Sequence, residues 1–342
     1  MRSFSHKAVR RAGIVPMTGF SFLPSAAQAR AIDARMRGSL AASLEHIRDQ
    51  ACGLVAFDAA ALDRLIARMK AGGRYPASTF ALYAEIVLAL CEGENHLAES
   101  LFSALVAERP LADRWRLLAL DDPRLAAHVE RLKGFMEGDV TAPFEMRPPP
   151  PDVASSFDRR FHASYRLMAT AIPDLAAEFD ALVSDVVMVV GDPAAKYQFD
   201  GGSCYMLWGG LFLNATSHER DIALVEVMAH ESAHMFLYGC ACEEALVEND
   251  DSALYRSPLR VDLRPMDGIY HATFVSARMH WAMSRLMESG LLDSDGVAFA
   301  DAARAADREN FWAGHGVVVA DGQLTRTGAT VMQAAADYMA SA

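Results

Sequence analysis

From residue 25 to residue 133 apolar side chains recur every three to four positions in segments rich in Ala, Leu, Arg and Glu. That spacing predicts successive amphipathic helices, clearest over 78–90 and 97–106, with stops near Gly72-Gly73 and Pro110. The four prolines at 148–151 fix φ and cannot continue a helix, so they read as a rigid connector. Beyond them 161–183 is predicted helical with a break at Pro173, and 185–190 is a short apolar run with the look of a buried strand. Two apolar and aromatic runs, 203–208 and 211–214, flank Gly209-Gly210 and predict a β-hairpin. Thr216, with Glu219 three residues on, has capping-box spacing and predicts the start of a helix that closes at Gly239. The expected fold class is α+β and predominantly helical. A helical half, 1–147, serves as scaffold or substrate-docking region and packs on a second half, 152–342, that carries the hairpin. The boundary between them is soft enough for one continuous domain.

The helix after the hairpin holds the most informative residues. His230-Glu231-Ser232-Ala233-His234 is an HExxH motif. Residues four apart on a helix lie one turn above each other, so two imidazoles can converge on one ion at ~2.0–2.1 Å per bond. Glu231 sits where a carboxylate can take a proton from metal-bound water. In a chain of this size and composition the motif is expected by chance roughly 0.02 times. Ala223, Val227 and Leu237 share a face with the histidines and turn them toward the interior.

A third ligand is needed. The long motif with glycine at 237 and histidine at 240 is absent, because the chain has Leu237 and Cys240 there. Glu243, Glu244 and Glu248 follow the helix stop closely and read better as a solvated acidic stretch. His271 is the stronger candidate: Pro265 and Asp267 signal a new helix, which places His271 in its second turn on a face continued by Phe274, Val275 and Arg278. His218 and His280 read as packing or surface histidines.

Composition narrows the partners. The 342 residues carry 32 Lys+Arg against 44 Asp+Glu, a net charge of −12, and an acidic surface disfavours nucleic acid. No apolar run approaches the ~18 residues of a membrane span. Five scattered cysteines do not make a disulfide scaffold, and a reducing cytoplasm fits them best. Arg10-Arg11, an apolar stretch over 13–23 and Ala26-Ala27-Gln28-Ala29 imitate a signal peptide, but Pro16, Thr18 and Gly19 interrupt the apolar part, which leaves export the poorer reading.

Between the two histidine-bearing helices runs 255–265, where Pro258 and Pro265 impose extended chain and where Arg256, Arg260 and Arg264 cluster. A guanidinium grips a carboxylate through two parallel hydrogen bonds, so this cluster suits a dicarboxylate or an acidic peptide. The motif at 230–234 and the stretch 257–275 (Ser-Pro-Leu-Arg-Val-Asp-Leu-Arg-Pro-Met-Asp-Gly-Ile-Tyr-His-Ala-Thr-Phe-Val) together resemble the HExxH family of peptide-modifying enzymes. These accompany ribosomally made, post-translationally modified peptides, and members are described as iron- and 2-oxoglutarate-dependent peptide β-hydroxylases. The similarity covers mainly 203–285. It implies Fe(II) held by His230, His234 and His271, 2-oxoglutarate on the open positions with Arg260, Arg264 or Arg278 neutralising its distal carboxylate, and O2 as oxidant acting on a peptide or peptide-like substrate. Ligand type alone leaves zinc equally possible, and a zinc peptidase with Glu231 as general base is the alternative.

Overall fold

The helical stretches close as their spacing dictates, and 64% of the described residues are helical. The structure is a computed structural model describing residues 20–112, 114–137, 145–192, 194, 200–259 and 262–342. In chain order the helices and strands are α1 (Ala26–Ala51), α2 (Ala59–Lys70), α3 (Ala77–Glu92), α4 (Asn95–Ala107), β1 (Arg116–Ala119), α5 (Val129–Met136), α6 (Pro151–Ala171), α7 (Pro173–Leu182), β2 (Asp185–Val189), β3 (Gly201–Ser203) and β4 (Gly210–Asn214). There follow α8 (Asp221–Cys240), β5 (Leu254–Tyr255), β6 (Arg264–Pro265), α9 (Met266–Glu288), α10 (Ser294–Asp321) and α11 (Arg326–Ser341). Pro151 and Pro173 each open a helix, the position where a missing N–H costs nothing. No helix among the described residues is long and apolar enough to cross a membrane.

The chain forms two compact units, each drawn from separated segments: 1–32, 159–181 and 218–342 in one, 33–158 and 182–217 in the other. The proline connector therefore lies inside a unit, and the hairpin region joins the N-terminal helices.

The unit of 33–158 and 182–217 is built on a four-stranded sheet in the order β1-β2-β4-β3. β1 runs parallel to β2 and β2 to β4, and only β3 is antiparallel to β4. Leu118, Val187, Val189 and Phe212 of the sheet bury themselves against Ala77 and Ala81 of α3 and Leu132 of α5. Asp185 ties strand to helix: it accepts from Ala77 N at 3.0 Å and from Arg116 Nε at 2.8 Å. The expected hairpin pairs only over 201–203, because Tyr205–Leu207 coil into a 3-10 turn instead of extending. The small antiparallel sheet read from sequence is thus one edge of a mixed sheet, joined by β1, which lay hidden in the helical stretch.

In the other unit α9 is the central helix, buried along nearly its whole length and packed by α8, α10 and α11. β5 and β6 form a short antiparallel ladder, Leu254 opposite Pro265 and Tyr255 opposite Arg264, that leads into it. α8 begins at Asp221 rather than after Thr216. Thr216 spends its N–H and hydroxyl on Asn214 Oδ1, at 3.0 and 2.7 Å, a local turn that competes with helix capping. His218, at φ 57°, then redirects the chain into the helix.

Candidate metal centre

α8 is buried on all sides but one. Along it Ala223, Glu226, His230, His234 and Tyr238 keep partial exposure while their neighbours are sealed. The spacing of three, four, four and four residues makes a single stripe, so the helix presents one accessible face and that face carries the HExxH histidines. Glu231, the next residue round the helix, is turned inward and 3% exposed.

Three imidazoles meet on this face. His230 Nε2 lies 3.0 Å from His234 Nε2, and His234 Nδ1 lies 3.0 Å from His271 Nδ1 on α9. The His234 and His271 rings stack at 5.2 Å between centroids, with Tyr238 packed on His271 at the same separation. His230 Nδ1 is 3.3 Å from Met279 Sδ, two turns beyond His271 on α9. If His230 carries its proton on Nδ1, facing the weak sulfur acceptor, its Nε2 lone pair is left for the neighbour or for an ion. Each His–His contact needs one donor and one acceptor, so all three rings can be neutral at once. Burial, with the two histidines beside it, holds the His234 pKa well below the usual imidazole range. A neutral ring is what a metal requires of it.

Two ligands at ~2.0–2.1 Å on a tetrahedral ion stand ~3.3 Å apart, close to the separation of the two Nε2 atoms. His271 approaches the opposite nitrogen of His234. In the rotamers present, no group of three or more His, Cys, Asp or Glu among the described residues is set to hold one ion. His230 and His271 approach opposite nitrogens of His234, so their own nitrogens lie on different sides of that ring. As it stands the donor set fits a two-histidine ion on the Nε2 pair with His271 orienting His234 from behind, and a three-histidine ion would need both His234 and His271 to take other rotamers.

The remaining expected residues are dispersed. Glu231 Oε1 is 3.9 Å from His230 Nε2, on the ligand side. Arg264 pairs with Asp262 at 2.6 Å, half-exposed, and its Nε is buried without a hydrogen-bond partner among the described residues. Arg260 lies outside the described residues. Arg278 is 1% exposed and donates from Nη1 to the fully buried Glu178 at 2.8 Å. Phe236, Phe22 and Phe274 surround its guanidinium at 4.8, 5.3 and 5.5 Å, a cation–π cage that points the arginine into the core. Glu244 caps α11 by accepting from the backbone and hydroxyl of Thr327, and Glu243 and Glu248 are exposed. His280 shares a 2.8 Å hydrogen bond with Tyr338 OH, and the His218 carbonyl accepts from Arg160.

Sequence reasoning missed two things here. Met279 beside His230 carries no recognisable motif. Asp307 on α10, 3% exposed with Oδ2 lacking a hydrogen-bond partner, is pushed up to about 9 by burial and by the nearby Glu226 of the stripe. Its signal was available: Asp307 lies on the same helix face as the apolar Ala300, Phe311 and Val318. No family model matches the chain, and no curated protein matches it.

Proposed function

We propose that this protein is a metalloenzyme whose ion is held by His230 and His234 of α8 together with His271 of α9, and that it is an Fe(II)- and 2-oxoglutarate-dependent oxygenase hydroxylating a peptide or peptide-like substrate. The observation that carries the reading is the meeting of the three imidazoles, each within 3.0 Å of a neighbour, on the one accessible face of a buried helix. The resemblance of 230–234 and 257–275 to the peptide-hydroxylating family supplies the reaction class. When bound, iron with 2-oxoglutarate would supply the oxidising chemistry. The chain's own residues do the rest. The buried α8–α9 pair fixes the rings, and Glu231 accepts or holds a proton beside the ligand nitrogen. Of the candidates Arg260, Arg264 and Arg278, Arg264 is the one that the described residues leave to meet a cosubstrate carboxylate, since Arg278 is committed to Glu178.

The test is anaerobic Fe(II) loading, then 2-oxoglutarate and oxygen. Stoichiometric iron and succinate formation dependent on His230 and His234 are expected, and their absence refutes the reading. The 3.9 Å approach of Glu231 to His230 also favours a zinc peptidase with Glu231 as general base. Glu231→Gln separates the two: it should abolish a peptidase, by on the order of a hundredfold or more, and only impair an oxygenase.

A further inference from the structure

α9 meets both HExxH histidines from behind. His230 Nε2 and His234 Nε2 face each other at 3.0 Å. The Nδ1 of His234 meets His271 Nδ1 at 3.0 Å, and the Nδ1 of His230 meets Met279 Sδ at 3.3 Å. Met279 is 8% exposed, so packing holds its sulfur in place. Three neutral rings in a row allow two proton orders. In one, His271 Nδ1–H donates to His234 Nδ1, His234 Nε2–H donates to His230 Nε2, and His230 Nδ1–H donates to the sulfur. In the other every ring is reversed, and the His230 Nδ1 lone pair is turned on the lone pairs of the sulfur with no hydrogen between them.

Both orders make the same hydrogen bonds between rings, so the contact at Met279 decides between them. Glu231 Oε1, 3.9 Å from His230 Nε2, is beyond hydrogen-bond reach and offers the second order no competing acceptor. We propose that Met279 is a positioning residue for His230: by accepting its Nδ1–H, the thioether selects the first order and keeps the His230 Nε2 lone pair aimed into the gap between the two Nε2 atoms. His230 is then the ring that needs no proton shift when an ion is bound. A ligand histidine commonly gives its second N–H to a carboxylate, a carbonyl or water, and a carboxylate would also raise the basicity of the ring. A thioether orients the ring and leaves that basicity nearly unchanged. The consequence for metal rests on the proposed function, whereas the proton order belongs to the metal-free protein.

The test has two readouts on the full-length chain. Long-range proton–nitrogen NMR of metal-free, histidine-labelled protein reports which nitrogen of each ring carries the proton, with rings assigned by single His→Gln variants. Zn(II), a diamagnetic probe of the same imidazoles, is titrated in competition with a chromophoric chelator. In the parent, His230 should be protonated on Nδ1 and His234 on Nε2. Met279→Leu, a volume-conserving change, should leave His230 a mixture of tautomers and weaken Zn(II) binding roughly tenfold. Met279→Gln, whose amide oxygen is a stronger acceptor, should restore the single tautomer and most of the affinity. Met283→Leu, the same change at a sealed position one turn further along α9, should alter neither. A parent His230 protonated on Nε2 overturns the proposal, as do a Met279→Leu protein with parental tautomers and affinity, a Met279→Gln protein no better than it, or an equal loss in Met283→Leu. If the parent binds no Zn(II) through His230 and His234, the proposed function fails instead, while the tautomers still decide the role of Met279.

Discussion

Arg278 shows how far a residue type can be read from sequence. Its spacing from His271 placed it on the right helix face, and its chemistry suggested a carboxylate partner. The carboxylate it meets is not a cosubstrate's but that of Glu178 of the same chain, within a cage of three phenyl rings. Nothing in the local pattern announced Glu178, because a partner a hundred residues away is fixed by tertiary packing alone. Breaking the pair leaves an uncompensated buried charge, so Arg278→Ala should destabilise by about 3–5 kcal/mol in chemical denaturation. Arg278→Ala combined with Glu178→Leu should recover part of that loss. His271 was legible because Pro265 and Asp267 mark the helix start; the meeting of its Nδ1 with His234 was not. Two buried groups give opposite pH dependences. His280 is lowered to about 4 by burial, so the unfolded chain takes up its proton near pH 6.5 while the folded one resists until about 4. Stability present above pH 6.5 is lost between 6.5 and 4, on the order of 2 kcal/mol, and His280→Gln should flatten that limb of the stability profile. Asp307, raised to about 9, keeps in the folded state a proton that the unfolded chain releases near pH 4. Its contribution is lost as pH rises from about 4 to about 9, so Asp307→Asn should be the more stable protein at pH 8, by at least ~2 kcal/mol in thermal or urea melts.

At the scale of elements, helices were read well because their periodicity is local, and the sheet was read poorly because its pairing is not. β1 is four residues long and buries only Leu118, too little for a period-2 signal, and its partner β2 lies beyond three further helices and the proline connector. The turn at Gly209 is real: its φ is 85° and an added Cβ would strike Ser184 Oγ. The glycine instead redirects a 3-10 turn into β4. Gly314 matters for the candidate centre. A Cβ there would collide with Thr273 Oγ1, two residues past His271, where α10 crosses α9. Gly314→Ala should therefore lower stability by about 1–3 kcal/mol and weaken metal binding through displacement of α9, whereas Gly316→Ala, with open space around it, should do neither.

For the molecule as a whole, neither compact unit is a contiguous stretch, so a cut at the proline connector respects neither. A fragment of 152–342 would carry β2, β3 and β4 without β1 and α3, and Arg278 without Phe22. It should lack a cooperative unfolding transition by circular dichroism. Metal should act on the intact chain by mass action: a ligand at a hundred times its dissociation constant adds ~2.7 kcal/mol, so a Tm rise on anaerobic addition of Fe(II), absent in His230→Ala/His234→Ala, checks the site without any activity assay.

The cage around Arg278 reaches back to the first described residues. Phe22 lies edge-on to Phe274 at 5.7 Å and stacks on Tyr338 at 4.8 Å, and Ser25 N donates to Glu178 at 3.1 Å. These residues come just before the Ala26-Ala27-Gln28-Ala29 stretch. Proteolysis within that stretch would remove a wall of the cage and a donor from its carboxylate in a single covalent event. Cutting within 26–29 is thus a way to loosen the helix that carries His271, and a cleavage site engineered there would report on the state of that core.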